Sequence, residues 1–116
     1  MTDVFVTVPN TIVKESSSFT ATAYFRVAGA ASASVTNSQY RIDNLTTGSK
    51  VADWTALTPA VSIEIPITSA HNKILNNSDR FEKLQLTVAS DRGETSATYD
   101  TVIWKVENIY GYTANT

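Results

Sequence analysis

His71 is the single histidine of this 116-residue chain. A nucleophilic relay would need its imidazole beside a serine and a carboxylate. The adjoining Asn72 and Lys73 supply neither, so the residue reads as a solvated member of a loop. Zinc wants several His or Cys ligands, and the chain has no cysteine to add to one histidine. Calcium is held by clustered carboxylates and carbonyls. Asp91 and Glu94 flank a turn that would hold a weak ion only with Asp79 or Asp100. Aspartate and glycine populate such turns for conformational reasons alone. Glycoside chemistry needs two carboxylates in a cleft, one with a raised pKa. Glu64 and Glu82 instead fall in strand patterns as outward residues without an evident partner. The glycines are dispersed and form no phosphate-cradling loop. The chain reads as a non-enzyme that needs no cofactor.

Binding chemistry has better candidates. Trp54 is an aromatic that could stack on a sugar ring or anchor a partner. Its position in the middle of the chain makes a core place the expectation for it. With Asp91 and Arg92 it forms the candidate ligand-binding set. A second set is apolar: Tyr110 and Tyr112 lie in Ile109-Tyr110-Gly111-Tyr112, a segment that docking onto a neighbour would bury.

These residues must be held by strands. Phe19, Ala21, Ala23, Phe25 and Val27 alternate with Thr20, Thr22, Tyr24 and Arg26. Val61, Ile63, Ile65 and Ile67 alternate with Ser62, Glu64 and Pro66, and Leu84, Leu86 and Val88 with Lys83, Gln85 and Thr87. A period of two gives each strand one buried and one wet face. Residues 4–8 make a first strand that stops at Pro9-Asn10, where proline removes a ladder donor. Residues 11–13 continue it on the same or the facing sheet. Residues 39–44 and 50–54 form two further strands around a turn at Thr46-Thr47-Gly48-Ser49, with Gly48 free to take positive φ. Ala70, Ile74 and Leu75 sit at helical spacing and predict one or two helical turns after Ser69. Residues 81–90 and 95–108 close the chain as a hairpin around Asp91-Arg92-Gly93-Glu94.

Seven or eight antiparallel strands with a short helical crossover make an all-β, immunoglobulin-like sandwich over residues 1–108, followed by a C-terminal tail, 109–116. The last strand carries large apolar groups on both faces: Val102, Trp104 and Val106 on one, Tyr99 and Ile103 on the other. Either a bulge switches the inward face partway along, or Tyr99 and Ile103 cover a surface used by another subunit.

The totals narrow the partners. A chain this long buries roughly two-thirds of its unfolded surface and needs no staples; without cysteine it can have none. Net charge is −2 and both signs are scattered, so no basic stripe suits nucleic acid. No polybasic or strongly amphipathic segment suits a membrane surface. The N-terminal Met1-Thr2-Asp3 leads directly into strand-like residues and is not read as a secretory signal.

The run Tyr40-Arg41-Ile42-Asp43-Asn44-Leu45-Thr46-Thr47-Gly48, then Val51-Ala52-Asp53-Trp54-Thr55 and Pro59, resembles small virion proteins of tailed bacteriophages. Leu84-Gln85-Leu86-Thr87-Val88-Ala89-Ser90-Asp91-Arg92-Gly93 and the closing Val106-Glu107-Asn108 with Gly111 fit the same pattern, as does Val6-Thr7-Val8-Pro9 with Ser18-Phe19-Thr20. The resemblance covers most of the chain and rests on strands and turns rather than on chemistry. It implies an immunoglobulin-like accessory subunit that decorates or reinforces the capsid, or sits at the neck or tail. The partners it implies are other virion proteins, with self-association as an alternative. Manufacture in the host cytoplasm, without a secretion signal, is the expectation that goes with it. Tyr99, Ile103, Ile109, Tyr110 and Tyr112 are then the expected protein contacts. The competing expectation is a carbohydrate-binding or host-adhesion module using Trp54, Asp91 and Arg92.

Overall fold

A computed structural model describes residues 2–27, 30–31, 38–58, 62–76, 80–90, 92 and 97–109. Their strands are β1 (Thr2–Thr7), β2 (Ile12–Lys14), β3 (Phe19–Val27), β4 (Ala30–Ala31), β5 (Gln39–Asn44), β6 (Ser49–Ala56), β7 (Ser62–Ile67), β8 (Phe81–Ser90) and β9 (Thr98–Glu107). They form two sheets. In the first, β3 is central; β1 pairs along one side, while β7 and the two-residue β4 share the other. The second has the order β2-β9-β8-β5-β6. The chain is thus an all-β, two-sheet sandwich.

Alternation explains the core. Ala21, Ala23 and Phe25 of β3, Ile65 and Ile67 of β7, and Leu84, Leu86 and Val88 of β8 are all fully buried. Ile42, Trp104 and Val106 complete the facing layer. Among the described residues β7 pairs with β3 alone, and such an edge position tolerates Pro66. The N-terminal segment serves both sheets. β1 runs antiparallel to β3, and after Pro9-Asn10 the chain crosses over so that β2 runs parallel to β9. Of the two continuations the kink allows, the facing sheet is the one taken.

Turn chemistry follows the side chains. Asn44 Oδ1 accepts the Thr46 and Thr47 N–H groups at 3.0 Å each, and Gly48, at φ 74°, donates its N–H to the Asn44 carbonyl at 2.9 Å. Gly48 therefore takes the left-handed conformation its place in the turn demands.

Three expectations need correction. No helix occurs among the described residues, and residues 69–71 form a turn instead of a helical crossover. There the His71 and Asn72 N–H groups both go to the Thr68 carbonyl, and the Asn72 side chain leaves to bond the Ser17 carbonyl at 2.8 Å. The Leu75 and Asn76 N–H groups, which a helix would turn to the His71 and Asn72 carbonyls, go to the Glu82 carboxylate instead. The closing strand has no bulge: β8 and β9 pair without interruption from Phe81↔Glu107 to Ser90↔Thr98. The bulge instead lies between β5 and β6, around Ile42. Glu82 is not outward. It shares the parity of Leu84 and is fully buried, its Oε1 accepting Asn44 Nδ2 and Leu75 N at 2.8 Å and its Oε2 accepting Asn76 N at 2.9 Å.

His71 closes its own turn, with Nδ1 accepting the Thr68 N–H at 3.0 Å, which requires a neutral ring. Burial lowers its pKa below the ordinary 6.5. The unfolded chain therefore binds the proton more readily, so this contribution to stability is complete above 6.5 and lost as pH falls through the lower native value. Urea midpoints for wild type and His71→Gln, compared at about pH 8 and about pH 5, are expected to show a shallower pH slope for the variant.

Candidate interaction surface

The outer face of the second sheet gathers Trp54, Arg92, Tyr99 and Ile103, four of the five candidate residues the structure describes. Register fixes its rows. Tyr99 of β9 lies opposite Ala89 of β8, which lies opposite Gln39 of β5, which lies opposite Ala56 of β6. The row two residues along runs Thr101, Thr87, Arg41, and the next runs Ile103, Gln85, Asp43.

At one end stands an aromatic and cationic cluster. The Arg92 guanidinium sits 4.3 Å from the Trp54 ring centre, and the Trp54 and Tyr99 rings are 6.4 Å apart at 58°. Neighbouring strands are about 4.8 Å apart, so β6 and β9, separated by β5 and β8, lie about 14 Å apart. The two rings meet only by lying down over the intervening strands. That accounts for Ala89, which has no exposed surface although its parity points it outward. A small residue there leaves room for the rings above it. Arg92 is further tethered through Nη1 to Gln39 Oε1 at 3.0 Å. Trp54 is accordingly not a core residue: it is only partly buried and takes no part in the apolar core.

The middle of the face is closed by an ion pair. Arg41 donates from Nε and Nη2 to Asp43, with contacts of 2.8 and 2.9 Å, and this bond raises the guanidinium pKa. Asp53, on edge strand β6, is held below the usual carboxylate range first by the Trp54 N–H and then by Lys50. At the far end lie Ile103, 44% exposed, and Ile12 of β2, 57% exposed. Beyond β9, Ile109 is exposed, with its N–H donating to Glu15 Oε1 at 2.8 Å.

The two candidate sets are therefore mixed by the fold. Tyr99, assigned to protein contact, joins Trp54 and Arg92, assigned to ligand. Ile103 lies four residues from Tyr99 on the same strand face, and Ile109 lies past the strand end. Asp91, Tyr110 and Tyr112 lie outside the described residues. So do Asp79 and Glu94, while Asp100 is engaged by the Val6 N–H at 2.8 Å. Among the described residues no group of three His, Cys, Asp or Glu side chains converges to hold a metal. Sequence reasoning missed Ile12, a residue of a three-residue strand too short to show alternation.

Fold and surface together define a class, a two-sheet β-sandwich with an apolar and cationic outer face. The chain matches no protein-family profile, no curated protein and no solved structure.

Proposed function

We propose that this chain is a non-enzymatic, immunoglobulin-like accessory subunit of a tailed-bacteriophage virion. It binds capsid, neck or tail subunits through the outer face of β9 and the C-terminal segment that follows it. The observation that carries this reading is the exposure of Tyr99 (53%) and Ile103 (44%) on a strand whose opposite face packs Val102, Trp104 and Val106 against the core. The strand is held to β8 at every residue, so the two side chains are presented on a rigid surface. Burying each against a neighbour contributes roughly 1.5–3 kcal/mol, and many copies on one particle add avidity. The immunoglobulin-like assignment is supported by the strand order β2-β9-β8-β5-β6 facing β1-β3-β7, with the N-terminal segment divided between the sheets. The bacteriophage assignment is supported by the sequence resemblance.

The test is quantitative mass spectrometry of purified particles of the phage that encodes the chain. Wild-type protein is expected at a fixed copy number, and a Tyr99→Ser/Ile103→Ser double variant is expected to fold yet be depleted from particles. Absence of the wild-type chain, or normal incorporation of the variant, overturns the proposal.

One observation favours a second reading. Trp54, Arg92 and Tyr99 converge on a sheet face as aromatic groups do in sugar-binding sites. On that reading the chain binds carbohydrate at a host surface. Saturable binding to host polysaccharide that Trp54→Ala abolishes would favour it over the structural role.

A further inference from the structure

At the far end of the outer face, beside Ile103, two lysines meet. Lys83 of β8 and Lys105 of β9 stand directly opposite one another in register, both exposed on the same face. Like charges in this position destabilise a sheet. Among the described residues neither lysine forms an ion pair, and the nearby carboxylate of Glu107 is already engaged by Lys14 at 3.4 Å and Arg80 at 4.0 Å. The Lys105 Nζ lies 6.0 Å from the Phe81 ring centre, a contact that holds the ammonium over the sheet without neutralising it. The backbone beneath is fixed on both sides: Lys83 N–H donates to Thr46 Oγ1 at 2.9 Å, and Lys105 N–H to the Thr11 carbonyl at 2.8 Å.

Beside the lysines runs a groove of about 340 Å³ lined by Thr11, Ile12, Lys83, Ile103, Trp104 and Lys105. Two exposed isoleucines thus border two unneutralised ammonium groups, in a chain whose net charge is −2. We infer that this groove docks an extended acidic segment of a partner polypeptide. One carboxylate of that segment bridges Lys83 and Lys105, and an apolar side chain a short step away settles between Ile12 and Ile103. Charge complementarity selects the partner, because a carboxylate there removes the repulsion between the lysines. Nucleic acid fits less well: two lysines neutralise only about two phosphates, and the isoleucine walls offer no donor or acceptor to a base edge. The inference rests on the reading of this face as the protein-contact surface and adds the chemistry of what it contacts.

The experiment titrates the 15N-labelled full chain with a synthetic peptide of alternating glutamate and leucine, with a lysine–leucine peptide as control. Saturable amide shifts are expected at residues 11–12, 83 and 103–105, weakening as salt is raised. Lys83→Gln/Lys105→Gln removes the like-charge pair and so leaves the sheet intact; it is expected to bind the acidic peptide about tenfold more weakly. Shifts that sodium phosphate alone reproduces, tighter binding of a DNA oligonucleotide, or unchanged peptide affinity in the double variant would each overturn the inference. Particle incorporation separates it from the proposal it builds on. If the glutamine variant enters particles at the wild-type copy number, this groove is not the docking site, while the virion role stands. If peptide binding maps here but the wild-type chain is absent from particles, the virion role falls and the acidic-segment site remains.

Discussion

Replacing Glu82 with alanine is expected to remove about 3–5 kcal/mol of stability, a large share of the roughly 5–15 kcal/mol that holds a small domain together. The carboxylate has no solvent contact and accepts from Asn44 Nδ2, Leu75 N and Asn76 N. The Leu75 and Asn76 N–H groups belong to the segment between β7 and β8 rather than to a strand, while Asn44 reaches in from the end of β5. Glu82 does for them what a neighbouring strand does elsewhere. Deletion leaves them without this acceptor, and the penalty of an unmade buried hydrogen bond exceeds the gain of a made one. Glu82→Gln keeps the shape, but one of its two acceptor positions becomes an amide that faces a donor, so a loss of about 1–3 kcal/mol is expected. Urea unfolding followed by far-UV circular dichroism checks both. An alanine variant within about 1 kcal/mol of wild type would show that water replaces the carboxylate.

Trp104 is the second large effect. It is fully buried, lies opposite Leu84, and meets Phe19 edge-on at 5.3 Å and 90°. Its indole N–H donates to Asn72 Oδ1 at 2.8 Å, while Asn72 Nδ2 donates to the Ser17 carbonyl at 2.8 Å. Trp104→Ala is expected to cost about 3–5 kcal/mol through lost burial and a cavity. Trp104→Phe retains an aromatic ring and mainly removes the donor, for about 1–3 kcal/mol. Because indole and amide act as one unit, the loss in a Trp104→Phe/Asn72→Ala double variant is expected to fall short of the sum of the single losses. Additive losses in denaturant melts would mean that the two side chains do not share an interaction.

The contrast between these two residues shows what could be read from the sequence. Trp104 shares parity with Val102 and Val106, so alternation puts the three on one face, but Tyr99 and Ile103 on the other leave the inward side open until the strands are placed. The same rule works for Phe25, Ile65 and Leu86, because a strand with one wet face leaves a period-two trace in residue type. Glu82 defeats it. A carboxylate breaks the apolar trace, and its burial depends on backbone donors near Leu75 that no local pattern reveals. Ala70, Ile74 and Leu75 match helical spacing, yet so short a window cannot register the bond from Asn72 to Ser17, fifty-five residues away in sequence. Trp54 was misplaced for a related reason. Its partners Arg92 and Tyr99 come from the far end of the chain, and the bulge around Ile42 interrupts the parity of β6. On the surface, Tyr99 and Ile103 were legible as the apolar residues left over once the core face was filled. Their separation into an aromatic end and a lysine-bordered end appears only when the strands are placed side by side.

The parallel pairing of β2 with β9 has a mechanical consequence. Force reaching the chain from before Ile12 and from beyond Glu107 enters the two strands at opposite ends, because Ile12 lies beside Lys105 and Lys14 beside Glu107. The load therefore runs along the strands and strains their hydrogen bonds together, including the flanking bonds from Lys105 N to the Thr11 carbonyl and from Glu15 N to the Glu107 carbonyl. An antiparallel hairpin pulled at its open end unzips one bond at a time. This pair must slide as a whole, so the chain carries a shear-loaded clasp across the line on which neighbours joined to its two ends would pull.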